Sequence, residues 1–378
     1  MAISTFRKLS LAAALFLSAS VSVAGPLVIG EVAAFSDPET AGPHLRVGLQ
    51  TYFEAVNRSG GVHGATIKFV SKERGPKPSE IVNKVRELID ESQPLALAGL
   101  MGTGSMEEIM KSGILENTGI PVVGIRSGSV SLHEPVNPYL FHTRANYLGE
   151  VEKITTQLTT IGLNRIAVFH EKSPFGQEVF SLIQRRLQKL PAMRLVGQGS
   201  YEVRDPNVKE AVASILNSKP DGVIVIANST AAAEFYKAFR ASGGKVQVVS
   251  LSVADGGEIV KRIGKDGARG LIVSQVVPDP NNSAMPLIRE LQSNIKKYAP
   301  PGTPINQAVV EGYIAAKTVV EGLRRAGPNP TRQKLRSALE SINKFDTGGV
   351  ILGYSPTNHT GSQYVELGML LSSGRVMK

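Results

Sequence analysis

The sequence predicts an α/β fold of two doubly wound, Rossmann-like lobes. Short β-branched runs alternate with amphipathic stretches along the whole chain, the pattern of strands feeding helices. The strand runs are apolar throughout rather than alternating, which marks parallel sheets covered on both faces. The alternation restarts after Pro138, and of 378 residues 354 follow a 24-residue leader, more than one ordinary core holds.

The elements follow in order. Residues 27–34 read as a strand. Residues 43–57 read as a helix, with Leu45, Leu49, Phe53 and Val56 near helical spacing. A strand over 65–70 precedes a helix over 78–90, where Ile81, Val85 and Leu88 share a face. A strand over 95–100, a helix over 105–115 and a strand over 120–125 complete the first set. Right-handed crossovers between such strands produce a doubly wound domain. The second set runs helix 150–161, strand 165–170, helix 177–190, strand 194–201 and helix 207–217. It continues as strand 222–227, helix 231–242, strand 246–252 and strand 270–276. Helices over 286–298, 305–325 and 332–342 follow, separated by Pro/Gly-rich segments at 299–303 and 327–330.

The leader limits the function classes. Arg7 and Lys8 precede a short apolar run over 9–23, and Ser22-Val23-Ala24 places small residues at a cleavage point. This is the pattern of a secretory signal peptide cleaved after Ala24. The run is too short to span a bilayer. The expected location is the periplasm, where ATP- and NAD-driven chemistry is disfavoured. Without the leader, 40 basic residues stand against 32 acidic ones, a net charge of +8. The basic residues are scattered over helix faces, so no nucleic-acid partner is expected, only mild attraction of anions. The chain has no cysteine, which excludes disulfides, thiolate metal sites and a Cys nucleophile and predicts a mature protein without a lipidated cysteine.

Catalytic motifs are absent. Six histidines, at 44, 63, 133, 142, 170 and 359, show no metal-ligand spacing, and there is no GxSxG elbow. His170-Glu171 ends a strand and resembles a base pair for catalysis, but such residues more often just close a strand over a loop. No enzyme activity, cofactor or metal is therefore expected. Gly102-Thr103-Gly104 follows a strand and opens a helix, but Glu107 occupies the third position of a dinucleotide fingerprint and would repel a pyrophosphate. Backbone amides at this helix start, with the Thr103 and Ser105 hydroxyls, suit a carboxylate. A glycine turn with Ser105 as a cap fits the same residues.

The stretches "LVIGEVAAFSDPETAG", "VNRSGGVHGATIKFV", "LAGLMGTGSMEE", "GIPVVGIRSGS", "YLFHTRANYLGE", "RIAVFHEKSPFGQEV", "KPDGVIVIANSTAAAEF" and "GARGLIVSQVVPDP" occur in this order. On them the chain resembles the leucine/isoleucine/valine-binding protein family, type I periplasmic solute-binding proteins of ABC importers, over residues 27–375. The resemblance implies a clamshell with three crossovers, expected near 143–145, 275–278 and 345–349. Lobe one would be 26–143 plus 278–345, and lobe two 144–277 plus 346–378. Ligands of open α/β sheets sit beyond the strand C-termini, which agrees with a cleft between the lobes.

The resemblance also implies ligand-binding residues. The first turn matches Thr103, Gly104 and Ser105, and the next strand's turn matches Ser127 and Ser129. Phe175, before Gly176, would cover the ligand, and it donates no hydrogen bond. Asn228 and Ser229 end a further strand, and Tyr147 lies just past the first crossover. Packing is the competing role for Phe175 and Tyr147. Amino-acid-binding members hold the ligand ammonium with an acid. Ser252 stands at that position here, with Asp255 three residues on. A buried ammonium without a counter-charge is costly, so a carboxylate lacking an amine is a candidate beside an amino acid. Arg126 reads equally as an anion partner or a rim charge. The expected function is capture of a small carboxylate-bearing solute and delivery, as a monomer, to an inner-membrane ABC permease. A sensor of the same fold acting on a signalling partner is the rival, followed by an enzyme on this scaffold.

Overall fold

A computed structural model describes residues 25–36, 41–75, 77–203, 205, 207–371 and 376–377. The segment read as an export signal, residues 1–24, lies outside them. Among the described residues no helix is long and apolar enough to cross a membrane.

The first lobe is built from β1 (Leu27–Ala33), α1 (Gly42–Arg58), β2 (Ile67–Glu73), α2 (Ile81–Ser92), β3 (Ala96–Ala98), α3 (Thr103–Lys111), α4 (Ile114–Thr118), β4 (Val122–Val123), α5 (Val130–His133) and β5 (Leu140–Phe141). Its five strands are parallel in the order β2-β1-β3-β4-β5. The second lobe follows with α6 (Tyr147–Thr160), β6 (Arg165–Glu171), α7 (Pro174–Gln188), β7 (Arg194–Tyr201), α8 (Lys209–Asn217), β8 (Gly222–Ile226), α9 (Ser229–Ala241), β9 (Gln247–Ser250), α10 (Gly256–Ala268) and β10 (Ile272–Gln275). Its strands β7-β6-β8-β9-β10 repeat the same parallel order.

The chain then returns to the first lobe through α11 (Pro286–Tyr298), α12 (Gln307–Ala326), α13 (Arg332–Glu340) and the hairpin β11 (Phe345–Asp346)–β12 (Ile351–Leu352). Finally β13 (Glu366–Leu370) and β14 (Val376–Met377) extend the second sheet antiparallel from β10. The expected crossover near 345–349 falls inside the hairpin. Val350, Leu352 and Tyr354 pack in a first-lobe core, and the chain joins the second sheet only at β13. The apolar hairpin face explains the difference, because crossing earlier would leave it in water.

Neighbouring strand residues face opposite cores. Ala167 and Phe169 lie in one cluster, Ile166 and Val168 in another. In the first lobe Val123 and Val122 divide the same way. Side chains alternate across a strand, so strands apolar on both faces require two helical layers. Phe169 and Phe235 stack with centroids 4.3 Å apart in this interior.

Boundaries move in physically intelligible ways. The helix expected over 105–115 begins at Thr103 and ends at Lys111, and Gly113 at φ 66° precedes the separate α4. The strand expected over 120–125 pairs only at Val122 and Val123. The sequence reading missed α5, β5, α10, the hairpin and the two antiparallel strands.

Candidate functional site

Both sheets aim their strand C-termini at one gap, which holds a cavity of about 430 Å³. From the first lobe, His44 follows β1, Arg74 follows β2, Met101 to Ser105 follow β3, and Arg126 follows β4. From the second, Glu171 to Phe175 close β6, Asn228 follows β8 and Asp255 follows β9. This is where open α/β sheets bind ligands, because helix N-termini and loops converge there. The volume suits a small organic molecule.

The first-lobe wall is organised by α3. Gly102 adopts φ 89°, a conformation that costs a side-chain-bearing residue dearly. It turns the chain so that the first amides of α3 border the cavity. Thr103 Oγ1 and Ser127 Oγ share a buried 2.8 Å hydrogen bond. Ser105 Oγ accepts from Arg74 Nη1 at 3.2 Å. Arg126 is fixed beside this turn by its backbone: its N–H donates to Leu100 O at 2.8 Å, and its carbonyl accepts from Gly102 N at 3.3 Å.

On the other wall, Tyr147 and Phe175 pack as a tilted pair with centroids 5.2 Å apart. Burial pushes the Tyr147 hydroxyl above its ordinary pKa, so it stays a neutral donor. Tyr147 N donates to Gly128 O at 2.6 Å. A Cβ at Gly128 would stand 2.8 Å from the Tyr147 ring, so only glycine permits this approach. Glu171 accepts the Tyr201 hydroxyl at 2.8 Å.

Eight of the expected residues line the cavity together: Thr103, Gly104, Ser105, Tyr147, Phe175, Asn228, Ser229 and Asp255. Three lie behind its walls. The Ser127 side chain supports Thr103 and takes the Ser129 amide at 3.2 Å. Ser129 Oγ pairs with Ser131 Oγ at 2.8 Å. Ser252 is fully buried and belongs to a charged network: its amide and hydroxyl both donate to Glu150, at 2.9 Å each, and its oxygen accepts from Arg144 Nη2 at 2.6 Å. The Ser252 hydroxyl is therefore spent on protein partners. Asp255 reaches the cavity, but Oδ1 caps α10 through Glu258 N and Oδ2 takes Gln307 N, both at 3.0 Å. Sequence reasoning missed Arg74, Lys172 and Asn306, which also line the cavity. Arg74 directly follows β2, so position after a strand was a usable signal for it.

The network around Ser252 joins the lobes. Arg126 Nε pairs with Glu311 Oε1 on α12 at 3.2 Å. Glu311 Oε2 pairs with Arg144 Nη1 at 3.2 Å, and Arg144 Nη2 with Glu150 Oε1 on α6 at 2.9 Å. Ser274 on β10 donates to the same Glu150. Arg144 and Glu150 are almost wholly buried, so each charge depends on its partner. Further contacts bridge the gap itself. Val130 N on α5 donates to Glu178 Oε1 on α7 at 2.7 Å, Asp255 takes Gln307 N, and His44 Nε2 lies 3.8 Å from Glu258 Oε1. Among the described residues no group of three or more His, Cys, Asp or Glu is placed to hold a metal ion.

Two lobes whose five parallel strands share one order, set around one gap large enough for a small organic molecule, are the architecture of a two-lobe binding protein. The comparisons with known proteins agree. Residues 29–375 match the family described as periplasmic binding protein, and the chain belongs to it. It is similar to a substrate-binding periplasmic protein from Ralstonia solanacearum, with 32% identity, 93% of this chain and 99% of that one covered, and a TM-score of 0.88. A branched-chain amino acid ABC transporter protein from Thermus thermophilus, solved with bound valine, shares the fold at 18% identity, 93% and 94% coverage and a TM-score of 0.84. The Leu/Ile/Val-binding protein homolog 3 of Brucella melitensis biotype 1 is 20% identical over 365 residues, 93% of this chain and 91% of that protein. The expected type I periplasmic binding fold and family are thereby borne out.

Proposed function

We propose that the protein is the periplasmic substrate-binding component of an ABC importer. It captures a small carboxylate-bearing solute between its lobes and delivers it unchanged to an inner-membrane permease. The observation that carries this reading is the cavity itself, lined by strand C-termini of both sheets. The α3 amides and the Thr103 and Ser105 hydroxyls take the anionic end, and Tyr147 and Phe175 cover the body of the solute. Similar solved structures of an ABC transporter substrate-binding protein from Aeropyrum pernix and of the Thermus thermophilus protein with bound valine support this class of role. Closure buries the solute, and its higher affinity for the closed form drives the shift. The three crossovers serve as the hinge, the last of them between 362 and 366, and the leader directs export.

Calorimetry of ligand-stripped protein against amino acids and organic acids tests the reading. At least one carboxylate should bind tightly, Ser105→Ala should weaken it, and mass spectrometry should recover the solute unaltered. Failure of every carboxylate, or chemical turnover of the bound one, contradicts it.

A further inference from the structure

We propose that Arg126 is a specificity-determining residue that restricts this cleft to carboxylates lacking an adjacent ammonium. The inference rests on the reading above, that the cleft takes a carboxylate, and narrows it. Arg126 is only 8% exposed, yet it lines the cavity. Among the described residues its side-chain partner is Glu311, which takes Nε and is not itself part of the cavity lining. One edge of the guanidinium is thus held from behind. The two terminal nitrogens are left for a ligand, in the fork that suits a carboxylate.

The surroundings strengthen the selection. Backbone pairing sets Arg126 against the turn that opens α3, and Arg74 reaches Ser105 on the same wall. The anionic end of a solute therefore meets helix amides and two guanidinium groups together. An α-ammonium lies one carbon from its carboxylate, so it is carried to this cationic wall and repelled there. The acids in the cavity lining, Asp255, Glu171 and Glu258, all stand on the second lobe rather than on this wall, and each is oriented by a partner of its own: Asp255 by two helix amides, Glu171 by the Tyr201 hydroxyl, and Glu258 by His44 at 3.8 Å. Ser252, at the place of an ammonium-holding acid, carries no charge.

The test is calorimetry of the full chain, stripped of ligand, with matched trios. These are 4-methylpentanoate, L-leucine and 4-methylpentanamide, then 3-phenylpropanoate, L-phenylalanine and 3-phenylpropanamide. At least one acid should bind ten times or more tighter than both its amino acid and its amide. Arg126→Gln should cost that acid at least tenfold and leave the amide within threefold, with Arg126→Lys intermediate. An amino acid that binds as well as its acid overturns the inference and leaves the carboxylate reading standing. Equal losses of acid and amide in Arg126→Gln also overturn it, since they reveal a packing role. Binding of amides but of no acid overturns both. The wild-type comparison needs no variant, so a misfolded substitution does not blunt the test.

Discussion

Removing the Glu178 carboxylate should loosen ligand binding without touching the ligand. Glu178 lies on α7 outside the cavity lining and accepts the Val130 amide of the opposite lobe at 2.7 Å. A hydrogen bond to a charged group contributes about 1.5–3 kcal/mol. Glu178 is half-buried, so solvent competes and the lower end, about 1.5 kcal/mol, applies. The contact exists only while the lobes meet, so its loss falls on closure rather than on the fold of either lobe. Since 1.4 kcal/mol is tenfold in an equilibrium constant, Glu178→Ala should raise Kd roughly tenfold. Closure is weakened and not abolished, because Asp255 and Gln307 still join the lobes. Calorimetry gives Kd, and thermal unfolding without ligand serves as the control and should not shift. An unchanged Kd would refute the coupling of this bridge to capture.

Three further outcomes follow from buried charge. Glu150→Ala strands Arg144 with half of its carboxylate partners, and urea unfolding should show a loss of about 3–5 kcal/mol. A loss below about 1 kcal/mol would mean that the pair behaves as if exposed. Burial raises the Glu31 pKa from 4.5 to about 8, so its folded form is destabilised as pH rises from 4.5 towards 8. Glu31→Gln should therefore stabilise the protein, by up to about 3 kcal/mol at pH 7, and the gain should vanish below pH 4.5. Burial also lowers His142 from 6.5 to about 4, and His133, stacked on it at 3.6 Å, to about 2. Both must stay neutral in the fold, so stability present above pH 6.5 should fall as pH drops through 6.5 towards 4. Glu31 titrates with the opposite sign over the same interval, so the test is made in Glu31→Gln, where a flat urea midpoint from pH 6.5 to 4 would contradict it.

Much of the fold was legible because a parallel strand buried on both faces leaves a continuous apolar run, as in Val223 to Ile226. What was missed lacks that signal. β5 is two residues long, and α10 contains Gly264 at φ 76°, which breaks its period. The late strands β13 and β14 depend on a sheet edge that no local pattern reveals. In the site, Thr103 and Ser105 were readable because a glycine turn between strand and helix has local chemistry. Ser252 was not, since its partner Glu150 lies 102 residues away and no local pattern marks a buried charge network. Likewise Ser127 and Ser129 look like ligand groups in sequence, whereas packing turns their hydroxyls towards Thr103 and Ser131.

A crystal structure of the protein with its solute bound shows outright where the carboxylate sits. The solute carboxylate should lie within about 3 Å of Ser105 Oγ and the first amides of α3, with the apolar body against Tyr147 and Phe175. A solute seated outside the gap between the sheets, or with its charged end turned away from α3, would contradict it.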